Sequence, residues 1–113
     1  MKSVLVCMFG ALLALGVIVA PEAKAAGDAP AIAEVKIDNF SFNPPTITVA
    51  PGTQVIWVNQ DDIPHTVVSD DKTTFKSRAL DTDEKFTYTF TKAGTYSYFC
   101  SIHPHMVGKV VVQ

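Results

Sequence analysis

The sequence predicts an all-β protein, a Greek-key β-sandwich of about seven short strands. Three observations lead there. Beyond residue 30, β-branched and aromatic residues gather in short runs separated by Pro, Gly, Asn and Asp. Phe86-Thr87-Tyr88-Thr89-Phe90-Thr91 alternates aromatic with hydroxyl side chains, the period of a half-buried strand. No segment after residue 25 shows a helical apolar period with caps.

Taken in order, Ile32 to Ile37 reads as the first strand. Asn39-Phe40-Ser41-Phe42-Asn43 follows, and Pro44-Pro45 breaks the chain before Thr46 to Val49. Pro51-Gly52 marks a turn. Thr53 to Asn59, with Val55, Ile56, Trp57 and Val58, is apolar on both faces and suits a strand between two packed sheets. His65 to Ser69 is another short strand. Phe86 to Thr91 turns at Lys92-Ala93-Gly94 into Thr95 to Cys100, its expected hairpin partner, and period two places Tyr96, Tyr98 and Cys100 on one face. Cys100 therefore lies inside, at a strand end. Gly108 to Val112 is the last strand.

Composition bounds the function. At 113 residues, 48% hydrophobic and 18% charged, the chain suits one folded domain and not a disordered one. The one basic stretch, Lys72, Lys76 and Arg78, is flanked by Asp70, Asp71, Asp81 and Asp83, so nucleic-acid binding has no footing. Residues 1–25 read as a signal peptide: Lys2, an apolar run from Val4 to Ala20, then the small-residue site Ala23-Lys24-Ala25. The competing reading is a retained membrane anchor, since the run approaches the minimum spanning length. Cleavage leaves a domain of residues 26–113 and, with Lys2, Lys24 and Glu22 gone, takes the formal charge from −2 to about −3. It also removes Cys7, Met1 and Met8, so the exported domain keeps one Cys and one Met. A lone thiol in an oxidising compartment cannot form an internal disulfide, and a bound metal is one way to occupy it.

The chemistry concentrates in Cys100-Ser101-Ile102-His103-Pro104-His105-Met106, where thiol, imidazole and thioether recur every third residue. His65 supplies a second imidazole from upstream. Soft sulfur suits Cu(I) and imidazole suits Cu(II); two His, one thiolate and a weak axial Met make the blue-copper donor set. Each residue also has a plain structural alternative: a buried His, a small apolar Cys, a gap-filling Met. His103 and His105 both lie close enough to Cys100 to compete for one position.

These residues, with Trp57-Val58-Asn59, Pro64-His65, Ala93-Gly94-Thr95-Tyr96 and Gly108-Lys109-Val110-Val111-Val112, make the stretch from Ala31 to Gln113 resemble the plastocyanin-like cupredoxins, and among them the amicyanins, whose ligand loop is similarly short. The chain departs from that group at His105, where Phe is usual, and between Ser69 and Ala79. The resemblance implies a cupredoxin fold and copper held by His65, Cys100, His103 and Met106. It leaves His105 at the surface, and gives Asn59 the task of tying the two ligand-bearing loops together. It further implies a monomeric, soluble one-electron carrier in the periplasm, between a dehydrogenase donor and a cytochrome acceptor. Partners are expected to dock around His103 and Pro104 through a contact below about 1,200 Å².

A copper-delivery or tolerance protein is the alternative, using the same residues but requiring easy metal release. An enzyme is not expected, because no further His remains to build a second copper cluster. Asp61-Asp62 and Asp70-Asp71 read as solvated acids beside turns and are assigned no chemistry.

Overall fold

The computed structural model describes residues 31–113; the signal segment assigned to residues 1–25 lies outside the described residues. Eight strands form two four-stranded mixed sheets: β1 (Ile32–Asp38), β2 (Ser41–Asn43), β3 (Thr46–Val49), β4 (Thr53–Asn59), β5 (Val68–Ser69), β6 (Lys85–Phe90), β7 (Gly94–Phe99) and β8 (Val107–Val112). The first sheet runs β2-β1-β4-β6 and the second β3-β8-β7-β5. β1 pairs parallel with β4 and β3 parallel with β8, while the remaining pairs are antiparallel. The all-β sandwich is as anticipated, with one strand more than the seven expected because Ser41–Asn43 pairs back onto β1.

Two local expectations need correction. β6 and β7 are not hairpin partners: β6 pairs with β4 in one sheet, and β7 with β5 and β8 in the other. Both strands carry aromatic residues that meet across the sandwich, where the Phe90 and Tyr96 rings approach to 5.0 Å. The strand expected over His65 to Ser69 is reduced to Val68–Ser69, with His65 only bridged to Leu80. That leaves the His65 backbone to take its direction from a loop.

The interior is aromatic. Trp57 is wholly buried in β4 and meets Tyr98 edge-on at 5.4 Å, Phe75 at 5.7 Å and Phe86 at 5.7 Å. Edge-to-face pairs of this kind contribute about 0.5–1.5 kcal/mol each beyond area burial. Val35, Ile37, Val55, Val110 and Val112 fill the space between the sheets. β7 and β8 form a long antiparallel pair, and the turn joining them is the segment from Cys100 to Met106. A rigid hairpin thus presents that loop at one end of the sandwich.

Candidate metal centre

Cys100 follows the last residue of β7 and is fully buried. Its N–H donates to the Met106 carbonyl (3.1 Å), and the Met106 N–H donates to the His103 carbonyl (2.9 Å). These two bonds close the loop on itself and turn His103 inward. Met106 is buried in the core cluster beside Cys100. His105, with no place in the donor group, stays exposed as the resemblance implied.

His65 arrives from the opposite loop, also fully buried, with its backbone N–H and C=O both bonded to Leu80. Donor atoms of His65, Cys100 and His103 all lie within 4.8 Å of one another. The Cys100 Sγ is 3.8 Å from His65 Nδ1 and 3.7 Å from His103 Nδ1, and the two Nδ1 atoms are 3.2 Å apart. The circle through three points so spaced has a radius of about 2.1 Å, against about 2.0–2.1 Å for nitrogen and about 2.3 Å for sulfur around a first-row dication such as zinc. The residues present fit a metal ion.

Three side chains that the sequence reading passed over or undervalued set this geometry. Asp61 is not a solvated acid beside a turn: its Oδ2 accepts from His65 Nε2 at 2.8 Å. A carboxylate only accepts, so the ring proton sits on Nε2 and Nδ1 faces the cluster as a lone pair. Asp61 also accepts from the backbone N–H groups of Asn39 (2.7 Å) and Phe40 (2.9 Å). Partial burial pushes its carboxyl up, but the bonds from Phe40, Asn39 and His65 outweigh that and hold it below the usual range. The spacing Asp61-x-x-x-His65 was the available signal.

Thr66 performs the tie that was expected of Asn59. Its N–H donates to Cys100 Sγ (3.3 Å), and its hydroxyl accepts from the Ser101 N–H (2.7 Å) while lying 2.8 Å from the Ser101 hydroxyl. Asn59 is buried but works within its own side of the site: Nδ2 donates to the carbonyls of Ile63 (3.0 Å) and Leu80 (2.8 Å), and Oδ1 accepts from the Asp61 N–H (2.9 Å). Phe40, the third, stands edge-on to the His65 ring at 5.3 Å and the His103 ring at 5.1 Å.

At Cys100, burial favours the neutral thiol. Hydrogen bonds from the Thr66 N–H, the Thr66 hydroxyl and the Ile102 N–H overcome it, and the thiol is brought down to about 6. A thiolate and two imidazole lone pairs at such short range repel one another unless a cation sits among them.

Residues 30–113 match the family model described as copper binding proteins of the plastocyanin/azurin family. The chain is 38% identical to amicyanin of Paracoccus versutus over 79% of this chain and 71% of that one. It is 34% identical to amicyanin-alpha of Methylorubrum extorquens over 91% of this chain and 87% of that one. A solved purple cupredoxin from Nitrosopumilus maritimus superposes with a TM-score of 0.68 at 33% identity, covering 72% of this chain and 99% of that one. The chain belongs to the copper-binding plastocyanin/azurin family, its fold is that of the cupredoxins and its metal is copper.

Proposed function

We propose that His65, Cys100, His103 and Met106 hold one copper ion, and that the protein is a one-electron carrier, exported to the periplasm once residues 1–25 are removed. The observation that carries this is the convergence of two Nδ1 atoms and a thiolate sulfur, pinned from behind by Asp61 and Thr66. Copper bound there supplies the electron, alternating between Cu(I) and Cu(II).

The protein's residues keep the frame still. Cys100 sits at the end of a paired strand, His65 is locked to Leu80 and Asp61, and Pro104 removes one N–H and one free torsion from the loop. A frame that moves little between oxidation states adds little rearrangement to each transfer. His103 is half-buried, and its ring offers the short way out, with Ile102 and Phe40 exposed beside it. A contact centred on those side chains suits brief docking by a dehydrogenase donor and a cytochrome acceptor, partners taken from the amicyanin resemblance. The carrier itself is no enzyme and works as a monomer.

The test adds Cu(II) to residues 26–113. An intense visible thiolate charge-transfer band is expected, and Cys100→Ser abolishes it. A colourless loaded protein refutes the reading. Slow electron self-exchange combined with rapid copper loss to a chelator points instead to copper delivery.

A further inference from the structure

The turn between β1 and β2 is built against its own sequence. Asn39 and Phe40 occupy its two central positions with φ of 54° and 56°, the arrangement of a type I′ hairpin turn. Asn tolerates the left-handed region. At the second position glycine is the usual residue, and a bulky aromatic there is strained. Nor does core packing explain Phe40, because its side chain stays 46% exposed and stands apart from the buried cluster.

Two features account for the strain being kept. Asp61 clamps the turn, accepting from both strained N–H groups with the same carboxylate that orients His65. The clamp places the Phe40 ring at right angles to both imidazoles, 5.3 Å from His65 and 5.1 Å from His103, with its own outer side exposed. His65 is fully buried and His103 half-buried, so His103 marks the exposed side of the donor group, and the Phe40 ring stands against it.

Resting on the copper reading, we infer that Phe40 is a lid latched by Asp61, and that it sets how fast copper enters and leaves the site. Asp61 is then a positioning residue for two things together, the donor face of His65 and the cover above it. A carrier needs to retain its metal through many encounters, and the lid supplies retention kinetically, apart from the strength of the ligands.

The test compares wild type, Phe40→Gly and Phe40→Tyr, each loaded with Cu(I) without oxygen and mixed with excess bicinchoninate. Phe40→Gly is expected to release copper about tenfold faster, the loss of two edge-to-face contacts. Phe40→Tyr, which keeps the ring, should match wild type. Melting of the metal-free proteins is the control: glycine relieves the left-handed turn, so Phe40→Gly should melt no lower than wild type. Wild-type release from Phe40→Gly overturns the lid, as does acceleration that tracks a drop in melting temperature or that Phe40→Tyr shares. A wild-type protein that takes up no copper overturns the copper reading itself, and the lid with it.

Discussion

The backbone N–H of Thr66 points at the sulfur of Cys100 from 3.3 Å, joining the loop that carries His65 to the loop that carries Cys100 and His103. A donor aimed at a thiolate draws electron density away from it. Density on sulfur is greatest when the metal is reduced, so this bond favours the reduced site.

Thr66→Val keeps the N–H and removes the hydroxyl, which lies 3.7 Å from the same sulfur and accepts from Ser101. The reduction potential should fall, because sulfur loses a polar neighbour. Stability should drop by about 1–3 kcal/mol, the cost of leaving the Ser101 N–H without its acceptor. Protein-film voltammetry and chemical denaturation check the two halves; a raised potential contradicts the first.

The depressed Cys100 thiol makes stability of the metal-free protein depend on pH. An unfolded thiol titrates near about 8.5, and the folded one near about 6. With the folded value lower, the thiolate's contribution is fully present above the unfolded value and is lost as pH falls toward the folded one. Metal-free wild type should therefore gain stability over metal-free Cys100→Ser as pH rises from about 6 to about 8.5, with no further change outside that window. Paired melting curves across the range decide it, and a constant difference refutes it.

Asn59 satisfies two carbonyls and one N–H at a buried position on the His65 side of the site. Asn59→Ala strands the Ile63 carbonyl and the Asp61 N–H, while the Leu80 carbonyl keeps the His65 N–H, and should cost about 1–3 kcal/mol, with copper release quickened because Asp61 loses its anchor. Urea denaturation of the metal-free variant measures the cost. A neutral result means that water replaces the amide.

Gly108 faces Tyr98 across the β7–β8 pair, and a Cβ there collides with the Tyr98 ring. The ring cannot retreat easily, because Phe42 at 4.8 Å and Trp57 at 5.4 Å hold its other sides. Gly108→Ala is expected to destabilise by about 1–3 kcal/mol through overpacking. Since Cys100 lies two residues beyond Tyr98, the blue band should broaden as well; an unchanged melting temperature contradicts the close approach.

Much of this was legible in the sequence for a definable reason. Alternation in Phe86 to Thr91 reports which face is buried, and the spacing of Cys100, His103 and Met106 reports chemistry carried within one short loop. Both signals are local. Periodicity does not say which strand lies alongside, so β6 and β7 looked like hairpin partners until the sandwich placed them in opposite sheets.

By itself, then, the sequence determined the strand faces, the donor types and their order along the chain. Only tertiary structure decided that Asp61 holds a turn 21 residues upstream, that Thr66 reaches a sulfur 34 residues downstream, and that Phe40 rather than glycine occupies a left-handed position. Those outcomes depend on hydrogen bonds between segments that no residue pattern relates, formed once the two sheets close and bring His65 and Cys100 to the same end.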